Sequence, residues 1–112
     1  MPVFARPTDI EPFEHNDRHL AAPLAIRLLS SDPFLLHITF PPNGRAERHS
    51  HSFDTVYMLQ RGTMIVGDLT FQAGDVFWVQ AGEVYGPESA GPDGAEVLVH
   101  SIGGRLGTEW EA

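Results

Sequence analysis

The chain of 112 residues contains no cysteine and no lysine, and all seven of its basic residues are arginine. The missing thiol excludes disulfides, cysteine-held zinc, iron–sulfur clusters and a thiolate nucleophile. The missing lysine excludes a lysine Schiff base and a phosphate loop built on lysine. Basic charge is scarce as well, since fifteen carboxylates leave a formal net charge of -8. Phosphate backbones and anionic membrane surfaces both need a basic footprint, so neither nucleic acid nor a membrane is an expected partner. No apolar run approaches the roughly 20 residues that span a bilayer. The opening stretch, Met1-Pro-Val-Phe-Ala-Arg-Pro, lacks the apolar core of a signal peptide, and the expected location is the cytoplasm. A Gly-x-Ser-x-Gly elbow is also missing, so a nucleophilic triad has no support.

Glycine, proline, short apolar runs and histidine are what the chain does have. Eleven Gly and nine Pro punctuate it. Between them lie Leu24–Leu29, Phe34–Phe40, Thr55–Leu59, Thr63–Val66, Leu69–Phe71, Val76–Val79 and Ala95–Ile102. Each is strand length and rich in β-branched and aromatic residues. Gly67-Asp68 between two runs predicts a two-residue hairpin turn with glycine first. Helical periodicity is absent after Ser30, and only Asp9–His19 has room for a helical turn. The pattern predicts one all-β domain over residues 1–112: an arm over 1–23, a sandwich or barrel over 24–105 and a tail over 106–112.

Some runs are apolar on both faces. Val76-Phe77-Trp78-Val79 has no polar member, and Ala95–Ile102 carries Val97 and Val99 on one side, Leu98 and Ile102 on the other. An antiparallel strand with one wet face alternates. Two apolar faces fit either central core strands or a strand with one face lining the interior and the other packed on a second sheet or subunit; the second makes a homodimer an expected partner state.

Six histidines are the main source of polar chemistry. In a strand, residues i and i+2 share a face, so His49-Ser50-His51 sets two imidazoles side by side, half of a metal site. His15 and His19 have helical spacing but sit in a polar segment and are expected to be exposed. Gly44 lies upstream of the pair, Gly62 closes the next strand, and Gly74-Asp75 and Gly82 bracket another. This order resembles the cupin superfamily, whose first motif runs Gly, His-x-His, Glu, Gly and whose second runs Gly, Pro-x-Gly, His, Asn.

The resemblance implies a double-stranded β-helix, the jelly-roll barrel of the cupins. It implies a divalent metal (iron, zinc, manganese, nickel or copper) held by His49 and His51. It implies dioxygenase, isomerase or lyase chemistry on a small organic molecule. The sequence departs from the motifs at two ligand positions. Thr55 stands for the Glu and Tyr85 for the second-motif His, and Gln80 and Ser89 replace the Pro and Asn. A hydroxyl is a poor metal ligand, and a phenol ligates only as phenolate. Tyr85 is a candidate ligand on that condition, and Glu47 is another because it shares strand parity with the pair. Thr55, Tyr57, Trp78, Tyr85, His37 and His100 are candidate pocket residues; of Phe77 and Trp78, only one points inward. The alternative is a non-catalytic ligand-binding or sensor cupin with a degraded metal site.

Overall fold

The computed structural model describes residues 5–111, so residues 1–4 of the expected arm and residue 112 of the tail lie outside it. The expected all-β class holds. A single 3-10 turn at Pro7–Asp9 precedes ten strands among the described residues. These are β1 (Phe13–His15), β2 (Leu24–Ser31), β3 (Phe34–Phe40), β4 (Arg45–Ala46) and β5 (His49–His51), then β6 (Thr55–Val66), β7 (Leu69–Gln72), β8 (Val76–Val79), β9 (Glu88–Ser101) and β10 (Thr108–Trp110). His15 ends a strand rather than standing on a helix with His19, because Phe13–His15 pairs with β2.

The main sheet runs β1-β2-β3-β9-β6-β7, with β4 added on β9 and β8 on β6. Strands β6 and β9 each serve two sets of partners. The first half of β6 pairs with β8 and the second half with β7, while β9 pairs with β4 at its start and β3 at its end. The sheet does not close into a barrel: β5 and β10 form a separate two-stranded sheet. Two isolated bridges, Leu20 to Ala46 and His49 to Tyr85, join the margins.

Two of the expected breaks are absorbed into strands. Arg61-Gly62 lies within β6, and Gly91–Gly94 lies within β9. There the register slips, with Gly62 opposite Ala95 but Met64 opposite Ala90, so the β9 segment bulges. Gly62 has φ +81°, and a Cβ on it would stand 2.1 Å from the Gly94 carbonyl oxygen. A close backbone approach of this kind requires glycine. The Gly67-Asp68 turn joins β6 to β7 as expected, with Gly67 at φ +62°.

Alternation sorts the side chains. Thr55, Tyr57 and Leu59 of β6, Val97 and Val99 of β9, and Leu36, Ile38 and Phe40 of β3 are buried on the inner face. Their alternates form the outer face. Cross-strand neighbours there run Trp78–Val56–His100–Leu35 and Val76–Met58–Leu98–His37. Val76 and Trp78 are exposed, and Val56, Met58, Leu98 and Leu35 are half-buried. No helix among the described residues is long and apolar enough to cross a membrane.

Candidate functional site

The inner face lines a cavity of about 510 Å³ that is open to one side. Leu24, Ile26, Leu36, Ile38, Phe40 and Leu106 supply apolar wall, and the polar end is His49, His51, Tyr57 and Glu88. Small-molecule sites commonly have this form, a few hundred Å³ of apolar wall with a few convergent polar groups.

Strand β5 sets the imidazoles. Its residues His49 and His51 lie opposite Trp110 and Thr108 of β10. On the other side, the His49 N–H donates to the Tyr85 carbonyl at 3.1 Å, and the Tyr85 N–H donates back at 2.9 Å. Both histidines are buried. The His49 Nδ1–H donates to the Glu47 carbonyl at 2.6 Å, and its Nε2 faces the Tyr85 hydroxyl at 3.0 Å and Glu88 Oε1 at 3.2 Å. His51 Nε2 faces the hydroxyls of Tyr57 and Tyr85, each at 2.8 Å, and its Nδ1 lies 3.2 Å from Thr108 Oγ1. The two phenols are hydrogen-bonded to each other. The network assigns the His51 tautomer: Nε2 accepts from a phenol, which leaves Nδ1–H to donate to Thr108.

Burial and charge tune these groups differently. Burial pulls the His49 pKa down, but the hydrogen bond and charge of Glu88 and the Glu47 carbonyl outweigh it, and the net shift is upward. His51 has no carboxylate partner; burial, aided by the charge of His49, lowers it to about 4. Burial drives both phenols well above their ordinary range, and the Glu88 carboxylate adds to the effect. The cluster is therefore a paired imidazole and carboxylate, a neutral imidazole and two phenols that keep their protons.

The other expected residues lie elsewhere. Glu47 is exposed: the strand is interrupted between Ala46 and His49, so parity is lost, and only its backbone carbonyl serves the site. Thr55 is fully buried with its hydroxyl donated to the Phe53 carbonyl at 2.9 Å. Trp78 is 68% exposed on the outer face, because Phe77 takes the inward position and stacks on Tyr57 at 4.7 Å. His37 and His100 belong to the outer-face rows; His37 Nε2 lies 3.1 Å from Glu96 Oε1, and His100 Nδ1 donates to the Phe34 carbonyl. Tyr57 lines the cavity, and Tyr85 is hydrogen-bonded to its polar end.

Three features of the site are not foreseen from the motifs. Glu88 is buried at the start of β9, beside His49. Its only signal in the sequence is proximity to Tyr85 across Gly86-Pro87. Trp110 lines the cavity and stacks on His19 at 4.6 Å, so the C-terminal strand and the N-terminal arm meet at the site. His19, expected in solvent, is half-buried there.

The donor set does not fit a shared metal as it stands. Among the described residues, no group of three or more His, Asp or Glu side chains is arranged to hold an ion. The Thr55 hydroxyl is committed to backbone, and the Tyr85 phenol resists the ionisation that ligation needs.

No family model matches the chain, and no curated protein matches it by sequence. Solved structures do match in shape. The polyketide cyclase RemF from Streptomyces resistomycificus gives a TM-score of 0.76 at 20% identity, over 91% of this chain and 80% of that one. An acetylacetone dioxygenase from Acinetobacter johnsonii gives 0.69 at 16% identity, over 95% of this chain and 81% of that one. A cupin-like protein from Thermotoga maritima gives 0.71 at 18% identity, over 88% and 84%.

Proposed function

The chain has the cupin fold, and from that premise we propose that it is a small-molecule enzyme of the isomerase or lyase type, working by proton transfer. Its substrate class is a mostly apolar organic molecule carrying a carbonyl. One observation carries the reading: the apolar cavity ends on a buried His49–Glu88 pair beside Tyr57. The apolar walls take the body of the substrate, and the polar end orients its oxygen. Glu88 accepts the proton from the carbon next to the carbonyl. The C–H electron pair moves into an enolate, and the Tyr57 hydroxyl hydrogen-bonds the oxygen as charge develops there. Because burial holds Tyr57 protonated, it serves as a donor throughout. His49, hydrogen-bonded to Glu88, holds the carboxylate in place. Return of the proton to a second carbon completes an isomerisation, and departure of a neighbouring leaving group completes an elimination.

Dioxygenase chemistry is not part of this reading, because the metal that the motifs imply at His49 and His51, with Tyr85 or Glu47, does not fit the donors present. A second reading is a binding or sensor role. It is favoured by the closure of the network, in which every ring nitrogen of His49 and His51 already has a partner. Exchange of the α-protons of 2-tetralone, a bicyclic ketone, with solvent deuterium separates the two. Followed by NMR, wild-type protein accelerates the exchange, and Glu88→Gln lowers the rate about 100-fold or more. Binding without acceleration supports the sensor role and contradicts the enzymatic one.

We also propose that the outer face pairs with a second copy of the chain. Val56, Met58, Val76 and Trp78 make an apolar surface without a charged side chain, on which two molecules of net charge -8 can meet.

A further inference from the structure

We propose that the Tyr85 hydroxyl stands in the place of a metal ion, and that it is what keeps an otherwise prepared pair of histidines from holding one. This rests on the metal-free reading of the site. Two imidazoles that share an ion direct one nitrogen each at a common point. Here the common point is the Tyr85 oxygen, 3.0 Å from His49 Nε2 and 2.8 Å from His51 Nε2. Metal ligands are further held by a partner on the other ring nitrogen. Both rings have such a partner: the Glu47 carbonyl on His49 Nδ1 and Thr108 Oγ1 on His51 Nδ1. A carboxylate is also within reach, with Glu88 Oε1 3.2 Å from His49 Nε2.

The phenol cannot share this space with an ion. A zinc–nitrogen bond is about 2.0–2.1 Å, so an ion bound to both nitrogens would overlap the hydroxyl. Nor is the phenol free to leave. Tyr85 is buried, its backbone is bonded in both directions to His49, and its hydroxyl is held by Tyr57 as well as by the two imidazoles. The replacement therefore acts as a built-in plug rather than as a ligand. Tyr85→His shortens the side chain and exchanges the hydroxyl for a ring nitrogen on the same backbone. It vacates the centre and adds a third nitrogen beside His49 and His51, a three-imidazole set that suits tetrahedral zinc or cobalt.

Cobalt(II) titration of purified protein, followed by visible absorption, tests this. Wild-type protein is expected to give no coordination spectrum. Tyr85→His is expected to take up one equivalent at least 100-fold more tightly than wild type, and to lose it when His51→Ala is added. Circular dichroism checks that each variant folds. Tyr85→Ala, which vacates the centre and leaves the two imidazoles, decides the matter if the histidine variant does not fold, and is expected to bind more weakly than that variant. Two results overturn the proposal: one equivalent of cobalt in wild type that His51→Ala abolishes, or no cobalt in a folded variant lacking the phenol. The tetralone exchange, run with a chelator present, reports the functional reading separately. Wild-type protein that takes up cobalt yet still catalyses exchange with the chelator overturns the plug alone. Protein without either property overturns the enzymatic reading alone.

Discussion

At the scale of the residue, two neighbours of one type have been given opposite properties. His49 has Glu88 at 3.2 Å, and its pKa is raised. His51 has phenols, and its pKa is lowered to about 4. An unfolded imidazole titrates near 6.5. Between pH 4 and 6.5 the unfolded chain therefore takes a proton at His51 that the folded chain refuses, and stability falls as the pH falls through that window. The shift corresponds to about 3 kcal/mol. His49 works in the other direction: its contribution grows as the pH falls through its raised value and is complete below 6.5, so between pH 7 and pH 5 it opposes part of the loss from His51 and below 6.5 it adds no further slope. Urea unfolding at pH 7 and pH 5 is expected to show a decline that shrinks in His51→Gln; an equal decline in the variant contradicts the assignment. The pair itself was legible in the sequence, because i, i+2 spacing is a local property of a strand. Glu88 was not, because its partner is 39 positions away in the chain and only long-range pairing, Ala46 opposite Glu88 and the bridge between His49 and Tyr85, brings them together.

At the scale of the element, alternation explains both what was foreseen and what was not. Phe34–Phe40 and Val76–Val79 match their observed strands end to end, since each is bounded by turn residues on both sides. Thr108–Trp110 was read as tail because three polar and aromatic residues carry no period of their own; pairing with β5 makes them a strand. Glu47 misled because parity was carried across an interruption of the strand, where alternation does not survive. Trp78 misled because a run apolar on both faces does not say which face is inner. That choice is made by register, with Phe77 opposite Tyr57. The same register leaves Val76 and Trp78 exposed beside Val56 and Met58. Sedimentation velocity is expected to show a dimer in wild-type protein and a monomer in Trp78→Asp, because a desolvated unpaired charge is costly in an interface. A monomeric wild type contradicts the proposed pairing.

At the scale of the whole molecule, the ends of the chain converge on the site. The arm brings His19 and the tail brings Trp110 to one stack beside His49. The all-β class was legible, since turn residues and strand-length runs are local signals; the jelly roll was implied only by the cupin resemblance, and the expected barrel does not close. The cavity was not, because it is a property of walls drawn from distant strands. Trp110 provides a reporter for it, since Trp78, the other of the two tryptophans, lies on the opposite face. The most direct test of the central claim is titration of 2-tetralone into the Trp78→Phe protein with Trp110 emission as the signal. The account predicts saturable quenching at one ligand per chain, lost when Ala46→Leu fills the cavity that Ala46 lines. Quenching that does not saturate, or that survives Ala46→Leu unchanged, would contradict it.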